Sequence, residues 1–290
     1  MTQTIGNPLS WLADATLGAG RGVGEGTDAL RGTATAPPEV RSLTRDDLAT
    51  ALRRGVADFT ALRSDVIFLI AIYPIIGLAL SLLAFDMARL PMLFPLAAGF
   101  TLLGPVVATG LYEMSRTREA TGQAGWGVAF SVLRARVIVP VVVLGLALLA
   151  LFLVWMSAAM LIYNLTLGPQ PPVSVGSFAG DVFTTGAGWV MIVLGMGVGL
   201  VFAAAVLVVS FISFPMLIDR RAGIPVAVMT SIKVARTSPR IVATWGLIVA
   251  VAMLAGTVPA FLGLMVVLPI LGHATWHLYR IAVPAPQNTA

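Results

Sequence analysis

An all-α membrane bundle of six transmembrane helices, with amphipathic helices at its cytoplasmic surface, is the fold class this sequence predicts. Three observations lead there. The 290 residues are 58% hydrophobic and only 11% charged, whereas a soluble domain carries about a quarter of its residues as charges. At a mean hydropathy of +0.94 the chain cannot cover a globule with polar surface in water. Six apolar runs each approach the roughly 20 residues that span a hydrocarbon core. Finally, all but one of the 18 Lys and Arg residues fall in segments that six crossings place on one side, which the positive-inside rule makes cytoplasmic. The composition also excludes chemistry. The net charge of +5 sits between apolar runs, as orientation signals do, and so argues against nucleic acid. The absence of cysteine removes disulfides, thiolate metal sites and Cys nucleophiles.

Residues 1–40 are rich in Gly, Ala and Thr and approach their end at Pro37-Pro38. They are expected to form a mobile cytoplasmic tail, with an interfacial turn around Leu9, Trp11 and Leu12. No basic segment precedes an apolar one there, so the tail does not read as a cleaved signal peptide. The membrane domain covers 41–284, and 285–290 form a short C-terminal tail. Its first helix opens at Thr44, three residues before Asp47, in the manner of a capping box. Leu48, Leu52, Val56, Phe59 and Leu62 then recur at helical spacing, with Arg53, Arg54, Asp58 and Arg63 between them. That pattern predicts an amphipathic helix on the membrane surface.

The spans follow at about 66–83, 92–111, 137–161, 189–211, 241–258 and 260–279, the last two folded into a hairpin at Pro259. Seven arginines (Arg21, Arg31, Arg41, Arg45, Arg53, Arg54 and Arg63) precede the first span. Arg116, Arg118, Arg134 and Arg136 follow the second. Arg220, Arg221, Lys233, Arg236 and Arg240 follow the fourth, and Arg280 closes the sixth; Arg89 alone lies outside. Both termini are therefore expected in the cytoplasm. FTALRSDVI (59–67) and FSVLRARVI (130–138) share five residues in register, and IKVARTSPRIV (232–242) is a looser copy. The pattern predicts a threefold repeat of interfacial helix plus transmembrane hairpin, placing Arg63, Arg134 and Arg236 at lipid headgroups, worth about 1 kcal/mol each near an anionic surface.

The stretches RRGVADFTALRSDVIFLIAIYPIIGLAL, LFPLAAGFTLLGPVVATGLYEMSR and VVLPILGHATWHLYR resemble the bacterial integral membrane proteins grouped as domain of unknown function 2189. The resemblance covers roughly residues 50 to 283. It implies a protein of the bacterial cytoplasmic membrane and no particular activity.

His273 and His277, the only histidines, stand four apart on one helical face, a spacing that can serve a metal. The competing expectation is an interfacial cluster with Trp276, Tyr279 and Arg280. Glu113 reads as an i, i+3 partner of Arg116. No Ser-His-Asp set, phosphate loop or paired-carboxylate arrangement is evident. The apolar runs contain no Asp, Glu, Lys or Arg, which argues against ion-coupled transport. Pro74, Pro95, Pro105, Pro140 and Pro269 interrupt or edge the spans and leave a broken-helix carrier as an alternative. Gly195 with Gly199, and Gly104 with Ala108, form small-xxx-small pairs for close helix packing. In the outer loop Phe178, Val182 and Phe183 suggest a short surface helix. The resulting expectation is a non-enzymatic accessory, assembly or lipid-interacting protein without a cofactor. Its expected partners are the bilayer, anionic headgroups and a membrane protein, but not nucleic acid. A carrier or channel for a small or apolar solute is the alternative, and a metal- or haem-binding protein the second.

Overall fold

The computed structural model describes residues 29–32, 36–70, 82, 88–102, 104–132, 137–220, 222–259 and 261–284, with backbone alone at 62–70, 98–102 and 126. Every regular element among them is helical. Helix α1 (Arg45–Ile70) starts where the sequence places it. The Thr44 amide donates to Asp47 Oδ2 at 2.8 Å and the Asp47 amide to Thr44 Oγ1 at 3.3 Å, the reciprocal bonds of a capping box. Arg41 pairs with Asp47, whose carboxyl is held below its ordinary value. Burial opposes that shift, and the Arg41 and Thr44 bonds outweigh it.

The buried face of α1 differs from the expected stripe. Leu48, Ala51, Gly55 and Asp58 are buried, while Val56 is 44% exposed. Close approach to the last helix explains the rotation. A Cβ on Gly55 would stand 2.7 Å from the Ala274 amide nitrogen and from the Ile270 carbonyl oxygen. Only glycine lets the two backbones meet so closely. The helix begins as the interfacial segment and continues without a break towards the first apolar run, most of which lies outside the described residues.

The second run is helical where it is described, residue 103 lying outside. A 3-10 turn at Leu90–Met92 leads into α2 (Leu93–Leu102), α3 (Gly104–Val107) and α4 (Thr109–Thr121). Helix α4 runs well past the expected span end at 111 and stops at Gly122, whose φ of 79° is readily adopted by glycine. A short α5 (Trp126–Ser131) precedes α6 (Ile138–Thr166), and Ser174 caps α7 (Val175–Thr184), the short helix expected in this loop, with Phe178 against Tyr163.

Helix α8 (Gly186–Ser210) passes into α9 (Ser213–Asp219) through a break at residues 211–212. The break is satisfied from α10 (Gly223–Thr237): the Ile212 amide donates to Ser231 Oγ at 3.2 Å, and that hydroxyl donates to the Val208 carbonyl at 2.6 Å. Then come α11 (Pro239–Thr257) and α12 (Leu264–Ala282), joined by the expected tight bend, with Gly256 and Gly263 in backbone contact. Among the described residues, three helical stretches are long and apolar enough to cross a membrane: α6, α8 continued through α9, and α11.

The N-terminal segment is docked at the residues described, and most of the expected tail, 1–28 and 33–35, lies outside them. Gly32 meets Gly223 backbone to backbone, and Lys233 Nζ donates to the Pro38 carbonyl at 3.1 Å. The Arg41 amide donates to the Ala282 carbonyl at 2.9 Å, and the Leu43 amide to Ser238 Oγ at 2.8 Å. At the glycines of the expected packing pairs the surroundings differ. Among the described residues, a Cβ on Gly104 or Gly195 meets nothing within 4 Å, and one on Gly199 meets the Trp155 indole at 3.5 Å. Gly55→Val should therefore cost about 1–3 kcal/mol by overpacking, and Gly195→Ala should be near neutral. Thermal unfolding in detergent compares the two.

Candidate functional site: a buried polar cluster around the last helix

The second half of α12 is enclosed by α1, α4 and α9. His273, Trp276 and Tyr279 are fully buried and His277 nearly so. At the centre lies Asp58 of α1, 5% exposed. Its Oδ2 accepts from Ser115 Oγ of α4 at 2.6 Å and lies 2.9 Å from His277 Nε2. Arg118 of α4 pairs with its Oδ1. Burial by itself would raise this carboxyl, but the bonds from His277 and Ser115 prevail and hold it near 2, against an ordinary 3.8. Proton counting then assigns the neighbours. Ser115 has one hydroxyl proton and gives it to the charged carboxylate, so at His273, whose Nδ1 is 2.7 Å from Ser115 Oγ, the ring nitrogen is the donor. His277 likewise donates from Nε2 to Asp58. His273 Nε2 is left without a hydrogen bond among the described residues.

A second set of charges continues from this centre towards the chain end. Glu119 of α4 has Oε1 3.5 Å from His277 Nδ1 and Oε2 3.2 Å from Arg280 Nε. Its carboxyl is pushed up by burial and, more strongly, down by His277 and Arg280, so it lies below its ordinary value. Arg280 Nη1 reaches Asp219 Oδ2 at 3.2 Å, and the Tyr279 hydroxyl donates to the same oxygen at 2.6 Å. Arg220 closes the set. It donates from Nε to the Tyr279 oxygen at 3.0 Å, and from Nη2 to the Val283 and Pro284 carbonyls at 2.9 and 2.7 Å.

This cluster corrects three sequence expectations. His273, His277, Trp276 and Tyr279 do not form an aromatic belt at the lipid surface; they lie inside the protein, because α1 covers them. Asp58, expected on the outer face of its helix, is the most connected carboxylate in the site. A serine, two histidines and a pair of carboxylates do meet, as Ser115, His273, His277, Asp58 and Glu119. They are not arranged for nucleophilic attack: Ser115 donates to the carboxylate rather than to a base and has no exposed surface. The Glu113–Arg116 pair is bidentate at 2.8 and 2.6 Å, as its spacing indicates. Among the described residues no group of three His, Asp or Glu side chains is placed to hold a metal, and His273 Nδ1 and His277 Nε2 are already engaged. Arg236 is exposed on α10, whereas the Arg63 side chain and Arg134 lie outside what is described.

Long apolar helices with their buried charge gathered beside a single helix end define the class: an integral membrane protein. The family model described as "Predicted integral membrane protein (DUF2189)" matches residues 93–219, from the start of α2 to the end of α9, within the stretch that resembles that family in sequence. No curated protein and no solved structure matches the chain.

Ser115→Ala should destabilise the protein by about 1–3 kcal/mol, because it strips a hydroxyl from both Asp58 and His273. The Asp58 carboxyl sits lower in the folded than in the unfolded chain. Its contribution, on the order of 2 kcal/mol, is therefore complete above about pH 4 and disappears as pH falls towards 2. Unfolding of wild type and Asp58→Asn across pH 2–7 checks this, since the variant should lose that part of the acid dependence.

Proposed function

We propose that this is a six-span protein of the bacterial inner membrane with both termini in the cytoplasm. Its role is that of a non-enzymatic accessory or assembly protein that binds anionic lipid at a cytoplasmic basic rim. One juxtaposition carries the lipid reading. The Leu43–Ser238 hydrogen bond at 2.8 Å joins the entry of α1 to the junction of α10 with α11, a helix long and apolar enough to span. Exposed Arg41 and Arg45 on one side, and exposed Lys233, Arg236 and Arg240 on the other, flank that joint. Cations at the foot of an apolar helix attract anionic headgroups. The non-enzymatic reading draws on the same geometry: the side chains with chemistry are spent on one another inside the bundle. The threefold repeat is consistent with helices α1, α5 and α10, each of which precedes an expected hairpin.

Because the chain has no cysteine, single cysteines can be introduced to map its topology. A thiol at residue 121 or 237 should react only from the cytoplasmic side, and one at 173 only from outside; labelling with the sides reversed would overturn the orientation. For lipid, the protein is extracted in polymer nanodiscs and its co-isolated lipids are quantified. Wild type should be enriched in phosphatidylglycerol or cardiolipin over the bulk membrane. Arg236→Gln/Arg240→Gln should lose about half of that enrichment or more. No enrichment in the wild type, or none lost in the variant, would refute the lipid reading.

A further inference from the structure

His277 occupies a position that a neutral imidazole cannot satisfy. Its Nε2 stands 2.9 Å from Asp58 Oδ2 and its Nδ1 3.5 Å from Glu119 Oε1, so two carboxylates from two different helices face the two ring nitrogens. A neutral ring carries one N–H and presents a lone pair on the other nitrogen. With the proton on Nε2 for Asp58, the Nδ1 lone pair would confront a carboxylate oxygen; Nδ1 is buried and has no hydrogen bond among the described residues. A second proton on the ring turns that confrontation into an attractive contact.

The surrounding charges leave this place open. From α1 the ring faces Asp58, and from α4 it faces Arg118 and Glu119. On α12 its neighbours are His273 and Arg280, with Asp219 and Arg220 behind Arg280 at the end of α9. The two nearest arginines bind the far oxygens: Arg118 takes Asp58 Oδ1, and Arg280 takes Glu119 Oε2. The oxygens turned towards the ring, Asp58 Oδ2 and Glu119 Oε1, receive neither guanidinium. Glu119 is also the route to water, because its side chain is 32% exposed while those of Asp58 and His277 are nearly covered.

We propose that Asp58, His277 and Glu119 form a proton-binding site. A single exchangeable proton is held on His277 between the two carboxylates and exchanged with water through Glu119, and binding it closes the end of α4 against α12. The ligand is the proton itself. On uptake, a proton from water reaches Glu119 Oε1 and passes to His277 Nδ1, while Nε2–H remains on Asp58. On release the same proton returns by Glu119, and the ring keeps only its bond to α1. The end of α4 is then tied to α12 through Arg280 alone at this point. His273, whose Nδ1 is bonded to Ser115, stays neutral throughout.

The test uses the two-histidine composition. Protein labelled with 15N-histidine in nanodiscs gives two resolvable rings. At about pH 7 the His277 ring should show both nitrogens protonated and the His273 ring only one. Glu119→Gln, which keeps the shape and removes the half-exposed charge, should lower the His277 titration midpoint by about one pH unit. In the wild type, amide hydrogen exchange across 109–121 should rise at least about tenfold over the pH range in which His277 loses its proton. The same amides should not respond to pH in His277→Gln. A neutral His277 at pH 7 in the wild type would overturn the proposal. So would a midpoint unmoved by Glu119→Gln, or exchange in 109–121 that follows pH equally without the histidine. If His277→Gln does not fold, the first two readouts decide the matter.

Discussion

A carboxylate removed from water governs how this protein closes. Burying an ionised group costs several kcal/mol unless it is paired and hydrogen-bonded, and Asp58 is buried at the meeting of three helices. The structure compensates with donors from two of them: Ser115 and Arg118 from α4, and His277 from α12. Each donor fixes a helix relative to α1, so satisfying one charge sets three positions. Hydrophobic burial cannot do this as specifically, because helices facing lipid gain little by exchanging lipid for protein contact. The small side chains beside Asp58 serve the same end. Ala51 and Gly55 admit the α12 backbone, and without that approach the carboxylate could not reach His277.

The helices were largely legible in the sequence and the cluster was not. Start and stop signals act within a few residues, so the Thr44–Asp47 cap, the bend at Pro259, the short helix after Ser174 and the Glu113–Arg116 pair could be anticipated. Apolar runs of spanning length identified α6, α8 and α11. Asp58, Ser115 and His273 are separated by 57 and 158 residues, and no local spacing connects them. Periodicity misled at α1 for a physical reason. The stripe points Val56 inward, but the α12 backbone packs on α1 at Gly55, so the small residues and one acid on that face are buried and Val56 is left exposed. Gly195 and Gly199 have the spacing of a packing motif, whereas the backbone approach of α1 to α12 uses Gly55. The signal for it was a glycine one turn before an acid in an otherwise amphipathic helix.

Charge is sorted in two ways along the chain. Paired charges gather around the end of α12, where Asp219, Glu119 and Asp58 are each matched by arginine or histidine. Cations without a carboxylate partner among the described residues, such as Arg236 and Arg240, stand exposed beside the foot of α11. The first group orders the protein internally; the second forms the basic rim proposed to meet anionic headgroups. Proline and serine complete the arrangement by opening and then satisfying backbone breaks, as Ser231 does at the α8–α9 junction.

A double-mutant cycle between Asp58→Asn and His277→Gln, read from reversible unfolding in detergent, tests most directly whether Asp58 holds α1 to α12. The account predicts a coupling energy on the order of 1–3 kcal/mol. Effects that add to within about 0.5 kcal/mol would mean that the two side chains stabilise the bundle independently, and would contradict it.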